Sequence, residues 1–382
     1  MSNVEIRPLF TLFILGTRPE AIKLAPVIKL FKGSDKFEVK VCSTGQHKEM
    51  LKQVLDFFDI VPDFELDVMR DNQSLFGATK RILSGLEDVL EEFKPDLIFV
   101  QGDTTTAFVG ALAGFYKKIK VAHIEAGLRS FDKYSPYPEE INRKLVGVIA
   151  DYHFAPTKKA MDNLLKENIE KNVYLVGNTV IDALHLGLKI IKNNADLDVE
   201  IAAFFNQKFK IHNSKLILVT AHRRESFGEP FKHICLALKE IADNFSDINI
   251  VYPVHLNPNV RKTAFDMLGK TKNIHLIEPL DYPKLIWLMD KSYMVVTDSG
   301  GIQEEAPSLG KPVLVIRDVT ERTEGIESGT AKLVGTNKKD IVENITLLLN
   351  DKNAYEKMAK ATNPYGDGNS ANRIMKIIER ML

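Results

Sequence analysis

The sequence predicts an α/β protein made of two doubly wound Rossmann-like domains in tandem. Three observations carry this. Short apolar runs alternate with amphipathic stretches along nearly the whole chain, the rhythm of parallel sheets covered by helices on both faces. The alternation breaks once, between about residues 178 and 214, where two helical patterns follow one another without a strand. Polar segments, several carrying glycine, recur at the C-terminal ends of the apolar runs, which is where open parallel sheets bind ligands.

In the first half the spacing predicts strands over 11–15, 38–43, 96–101, 121–124, 152–155 and 173–176, with helical patterns over 19–31, 74–93 and 138–150 among them. The second half repeats the rhythm with strands over 216–220, 249–253, 274–277, 293–297, 313–316 and 331–334. The chain divides on this pattern into residues 1–178 and 179–365. The segment 366–382 carries a helical stripe at Ile374, Met375, Ile377, Ile378 and Met381 and is expected to pack back on the first domain.

A chain of 382 residues suits two cores better than one. Lys plus Arg and Asp plus Glu are equal at 51 each, so the basic excess of a nucleic-acid surface is missing. Cys42 and Cys235 are the only cysteines and both lie in apolar runs, the pattern of a reducing compartment, here taken as the cytoplasm. The histidines have no paired-ligand spacing, so neither a metal nor a cofactor is expected. The apolar stretch 9–15 is too short to span a membrane, and no later stretch approaches the length needed.

The most informative segment is Asp298-Ser299-Gly300-Gly301-Ile302-Gln303-Glu304. A strand that ends in Ser-Gly-Gly and opens a helix, expected to run through Leu309, gathers backbone N–H groups and the positive helix end at one point, a site for phosphate. Glu304 or Glu305 follows where a carboxylate can reach a ribose diol. After the first strand, Arg18 and Lys23 stand at a helix start with Pro19 placed at its first position; two cations there suit an anionic sugar nucleotide. Asp103 or a threonine just after it can cap the next helix, and the Asp103 carboxylate can equally act as a base. Glu125 follows a strand directly, and Glu139 and Glu140 open a helix, where the dipole also favours acids. Together Asp103, Glu125 and Glu139 can place carboxyl groups around one sugar for metal-free acid–base chemistry. His222-Arg223-Arg224 offers positive groups for a diphosphate, and Arg317 or Arg322 can approach the same anion. Trp287 reads as structural.

Six ordered motifs sharpen this picture: Gly16–Lys23, Gln101–Thr106, His123–Arg129, Pro138–Arg143, His222–Gly228 and Asp298–Glu305. The chain closely resembles the non-hydrolysing UDP-N-acetylglucosamine 2-epimerases from about Phe13 to Gly335. The resemblance implies a glycosyltransferase-B type fold with the two domains facing a central cleft, and a homodimer. It implies interconversion of UDP-N-acetylglucosamine and UDP-N-acetylmannosamine through elimination of UDP to 2-acetamidoglucal and re-addition. Asp103, Glu125, Glu139 and His222 would be catalytic, with His222 the partner of the diphosphate. Arg18, Lys23, Ser299, Gly300, Gly301, Glu305 and Arg322 would bind substrate. Gln46, Arg223 and His255 match a second, activating UDP-sugar site of some members, whereas Glu49 and Asn72 depart from the glutamine and arginine of that pattern. A hydrolysing 2-epimerase and a glycosyltransferase of the same fold are the alternatives.

Overall fold

The computed structural model describes residues 7–45, 48–70, 73–209 and 214–380; Gln46, Asn72 and Met381 lie outside them. The chain forms two compact units, one of Met1–Ala183 with Gly366–Leu382, the other of Leu184–Tyr365.

The first unit runs β1 (Leu9–Leu15), α1 (Arg18–Lys32), β2 (Phe37–Ser43), α2 (Lys48–Phe57), β3 (Phe64–Glu65), α3 (Leu75–Phe93), β4 (Leu97–Gln101), α4 (Thr105–Tyr116), β5 (Lys120–Ile124), α5 (Glu139–Ile149), β6 (Tyr152–Ala155), α6 (Lys158–Lys166), β7 (Val173–Leu175) and α7 (Thr179–Asn193). The division between the units falls inside α7. The second unit continues with α8 (Ala195–Asn206), β8 (Lys215–Thr220), α9 (Glu229–Asn244), β9 (Ile248–Pro253), α10 (Pro258–Leu268), β10 (Ile274–Ile277), α11 (Tyr282–Lys291), β11 (Met294–Thr297), α12 (Gly300–Glu305), β12 (Val313–Val315), α13 (Thr323–Glu327), β13 (Ala331–Leu333), α14 (Lys338–Asn350) and α15 (Lys352–Ala359). Helix α16 (Ser370–Glu379) belongs to the first unit again.

Each sheet is parallel throughout its described pairings. The first has the order β3-β2-β1-β4-β5-β6-β7, the second β10-β9-β8-β11-β12-β13. In each, the strand order reverses at one place, between β1 and β4 and between β8 and β11. Chains leaving the two strands on either side of such a reversal diverge to opposite faces and open a crevice at their C-terminal ends.

The local reasons are readable. Strand β4 is buried along its whole length, as a strand covered on both faces must be, and so it appears as an unbroken apolar run. Phe13 on β1 pairs in register with Phe99 on β4, and their rings stack at 4.4 Å. Phe31 of α1 meets both rings edge-on, which fastens α1 over the reversal point. The second core gathers Ile217, Val219, Leu238, Ile250, Val296 and Ile345, all fully buried. Between α7 and α8, Asn194 accepts the Leu197 amide at 3.1 Å and restarts the helix. Helix α16 is tied to its unit by Ala371 N donating to Asp182 Oδ1 at 2.9 Å and by Arg373 donating to the Val176 carbonyl at 3.1 Å.

Three local features differ from the sequence expectation. Helix α1 starts at Arg18 with Thr17 as its N-cap, so Pro19 occupies the second helical position. The helix after Ser299 does not stay α-helical to Leu309; Pro307 removes a donor, and a 3-10 turn runs from Ala306 to Leu309. Strand β3 is only two residues long, too short to leave a period in the sequence. No described helix is long and apolar enough to cross a membrane.

Gly16 marks the tightest approach at the first reversal point. A Cβ there would overlap the hydroxyls of Thr44 and Thr106, which bond to each other at 2.9 Å. Gly16→Ala is expected to cost about 1–3 kcal/mol of stability, measured by urea unfolding.

Candidate functional site

In the first unit the predicted residues sit on the turns after β1, β4 and β5. Glu20 organises the first two. Its Oε2 accepts the amides of Gly16 at 3.0 Å and Thr17 at 2.7 Å, and its Oε1 accepts the Thr104 hydroxyl at 2.7 Å. That hydroxyl also caps α4 by accepting the Ala107 amide. Thr104 is therefore the helix cap, and Asp103 beside it is left for another task.

The Asp103 side chain is a quarter exposed and pairs with Arg143 of α5. Asn142 of the same helix donates to the Asp103 carbonyl at 2.9 Å. Burial pushes the Asp103 carboxyl above its usual range; Arg143 opposes this, and the Glu125 charge adds to it. A carboxyl so placed holds a proton nearer to neutral pH than a surface aspartate does.

Glu125 emerges from β5 with a left-handed backbone, φ +65°. Its Oε1 accepts Lys23 Nζ at 2.5 Å and Asn178 Nδ2 at 3.3 Å, and its Oε2 accepts Gln101 Nε2. Lys23 and Glu125 are 15% and 7% exposed, so this ion pair is largely out of water. Losing either partner strands a buried charge, at a cost of about 3–5 kcal/mol. His123, two residues earlier, is fully buried and donates from Nε2 to the Gly102 carbonyl at 2.7 Å. Burial pushes its pKa down to about 3, so it is neutral at physiological pH.

Glu139 is half-buried at the first position of α5. Its neighbour Glu140 is fully buried and structural: it accepts the amides of Ser130 and Phe131 and meets Arg143 at 3.3 Å. Arg18 is half-buried at the first position of α1.

In the second unit Asp298 is the organiser. It is 1% exposed, and its Oδ2 accepts the amides of His222 at 2.5 Å and Arg223 at 2.7 Å. Its Oδ1 lies 3.0 Å from His222 Nδ1, which fixes the imidazole and turns Nε2 away from the carboxylate. Burial pushes the Asp298 carboxyl up, but the His222 ring and the two amides outweigh it and hold the group below its usual range. The His222 ring stacks on the exposed His255 at 5.5 Å. Ser299 N donates to Thr297 Oγ1 at 2.9 Å, and Thr297 Oγ1 lies 2.6 Å from Thr220 Oγ1, so the chain ends of β8 and β11 are joined.

Ser299 holds the N-cap position of the short helix that Gly300 and Gly301 begin, without a capping bond from its side chain. The Arg322 guanidinium lies 3.7 Å from where a Gly300 Cβ would be, and it pairs with Glu304 at 2.5 Å. Glu305 is buried beside Tyr282, whose hydroxyl donates to it at 3.5 Å. His222, Arg223, His255, Ser299, Gly300, Gly301, Glu305 and Arg322 thus lie on one connected rim. Arg317 is not part of it in the same way, because Glu225 engages its Nε at 2.6 Å. Trp287 is structural, stacked on Phe205 and donating to Asp198 at 2.7 Å. Sequence reasoning assigned no role to Glu20, Gln101, Arg143 or Asn178. Only Glu20 had a local signal, the Thr-x-x-Glu spacing from Thr17 that precedes an apolar helix.

A family model described as UDP-N-acetylglucosamine 2-epimerase matches residues 29–379. The chain is 52% identical to a UDP-N-acetylglucosamine 2-epimerase of Campylobacter jejuni over 369 residues, 96% of each chain. It is similar to the crystal structure of the UDP-GlcNAc 2-epimerase from Neisseria meningitidis bound to UDP-GlcNAc, with 50% identity, a TM-score of 0.87, and coverage of 98% of this chain and 100% of that one. A glycosyltransferase of kitacinnamycin shares the glycosyltransferase-B type fold alone, at 12% identity and a TM-score of 0.65, over 99% and 100% of the two chains.

Burial raises the Glu20 carboxyl to about 6 from its ordinary 4.5, against the hydrogen bonds that favour its anion. Its contribution to stability is therefore full below about pH 4.5 and is lost as pH climbs through about 6, on the order of 2 kcal/mol in all. Urea unfolding at about pH 4.5 and about pH 7 is expected to show this loss in the parent protein and not in Glu20→Gln.

Proposed function

The chain belongs to the UDP-N-acetylglucosamine 2-epimerase family, and on that footing we propose that it interconverts UDP-N-acetylglucosamine and UDP-N-acetylmannosamine without net hydrolysis. The observation that carries this reading is the pair of carboxylates at the ends of adjacent strands β4 and β5, Asp103 with Arg143 and Glu125 with Lys23.

The C2 proton of the sugar is not next to a carbonyl, so its direct removal is hard. Breaking the C1–O bond first sends the electron pair to the departing UDP and puts positive charge at C1. C2–H is then acidic; a base takes the proton and a C1=C2 double bond forms, giving 2-acetamidoglucal. Return of a proton to the opposite face of C2 and re-addition of UDP at C1 complete the change of configuration. Asp103, Glu125 and Glu139 are the carboxylates that handle the C2 proton and the charge at C1. The raised Asp103 carboxyl supports a proton-carrying role. His222, held through Nδ1, meets the diphosphate of the departing UDP. Ser299, Gly300, Gly301 and Arg322 bind phosphate, Glu305 the ribose, and Arg18 and Lys23 the sugar side of the substrate. Arg223 and His255, with Gln46, are assigned to an activating UDP-sugar. The protein works in the cytoplasm, in keeping with two buried thiols that burial pushes up to about 12 and so keeps protonated.

We assign it a homodimer through α5. Ile141, Leu145 and Val148 form a stripe at helical spacing that is 38%, 40% and 79% exposed, beside Phe115 and Tyr116 at the end of the adjoining α4, exposed at 61% and 63%. An apolar stripe left in water on a charged protein suits a self-complementary face. Val148→Lys is expected to convert the dimer to monomer in sedimentation.

Proton NMR of UDP-N-acetylglucosamine with the protein in deuterium oxide tests the reaction. Deuterium at C2 with both UDP-sugars present and no net UDP is expected. Accumulating UDP with free N-acetylmannosamine would identify a hydrolysing enzyme instead. Asp103→Asn and Glu125→Gln are expected to lose at least about a hundredfold in turnover while keeping UDP binding by calorimetry; loss of UDP binding in either would mean that the residue is structural.

A further inference from the structure

We propose that Asn178 is a positioning residue for this reaction: with Gln101, its amide fixes the Glu125 carboxylate as a permanent anion, so that Glu125 faces the charge formed at C1 and does not carry the proton. The role in turnover rests on the epimerase reading; the clamp itself does not.

Asn178 is 3% exposed and stands immediately before α7. Its Oδ1 accepts the Val180 amide at 3.0 Å, so its orientation is determined: the acceptor faces the helix and the Nδ2 donor faces Glu125 Oε1. Gln101 donates to the other oxygen, and Lys23 shares Oε1 with Asn178. Both carboxylate oxygens therefore face donors, and a proton on either would point at an N–H group or an ammonium. Hydrogen bonds of this kind favour the ionised form. The backbone agrees: Glu125 is a non-glycine residue at φ +65°, a strained conformation that persists where its surroundings over-determine it. A Cβ on Gly102 would come 3.3 Å from Glu125 Oε2, so the carboxylate lies close against the backbone of that glycine. The charged and titratable groups around it include Lys23 from α1, Asp103 with its partner Arg143 from α5, and the neutral His123 on its own strand. Asp103 pairs directly with Arg143 alone; burial and the Glu125 charge still raise its carboxyl against Arg143 and the more remote Lys23, and it is left to move the proton.

The test compares Asn178→Asp and Asn178→Ser with the parent protein. Asp keeps the acceptor that caps α7 but sets a carboxylate against Glu125; Ser keeps a short capping oxygen and removes the donor. The Glu125 carboxyl band, identified in difference infrared spectra by its absence in Glu125→Gln, is expected to titrate about one pH unit higher in Asn178→Asp, and less far in the same direction in Asn178→Ser. In turnover, kcat is expected to fall about tenfold or more in Asn178→Asp, with KM within about twofold and the acidic limb of the kcat profile moved upward. An unmoved band in folded Asn178→Asp overturns the clamp, as does failure of both variants to fold, which would make Asn178 a helix cap only. A change in KM alone overturns the positioning role. A band that moves as expected while even the parent protein leaves UDP-N-acetylglucosamine unchanged supports the clamp and rejects the reaction.

Discussion

One buried carboxylate, Glu20, closes the reversal point of the first sheet. It accepts the backbone of the turn after β1 and, through the Thr104 hydroxyl, the turn after β4. Those turns leave neighbouring strands in divergent directions, and with nothing between them their amides would face an empty crevice. Glu20 fills it with an acceptor. The positions of Asp103, and of Arg18 and Lys23 on the helix whose first turn contains Glu20, follow from those bonds. The second sheet solves the same problem with Asp298, which accepts two amides from the turn after β8 while standing at the end of β11. Asp298 holds the backbone on the far side of its reversal, whereas Glu20 holds the backbone of its own side and reaches across through the Thr104 hydroxyl.

The buried acids are stabilised in different ways. Glu20 is surrounded by neutral donors, so burial prevails and its pKa rises. Asp298 has a histidine as well as amides, and its pKa falls. Glu125 has a lysine and two amides and is held on both oxygens. Asp103 has a single arginine, shared with Glu140, and a like charge nearby. Four carboxylates within a few residues of strand ends thus sit in different electrostatic settings according to the number and charge of their donors.

The sequence made the strands and the positions of the rims legible for one reason: parallel strands buried on both faces are apolar runs, and polar residues placed just after them mark their C-terminal ends. It did not reveal what each rim residue would touch. Asn178 is 53 residues from Glu125, and Thr104 is 84 from Glu20; such partners are set by the pairing of distant strands, which no local pattern encodes. Glu304 and Glu305 were equivalent in sequence, and only folding gives one to Arg322 and the other to Tyr282. Asp103 and Thr104 both suited a helix cap, and the hydroxyl took that place because it can accept from Ala107 while donating to Glu20.

Helix α16 gives the chain an unusual order of completion. The first unit contains Gly366–Leu382 as well as Met1–Ala183, so the second unit is an insertion within it. During synthesis, α1 and the sheet it covers emerge early, but the helix that supplies Arg373 to Val176 and an amide to Asp182 emerges only after the whole second unit has been made. The first unit must wait in an unfinished state with part of its surface uncovered, while the second has all its strands to hand and can close without it. Nascent chains halted just past Tyr365 would therefore carry a finished insert inside an unfinished host.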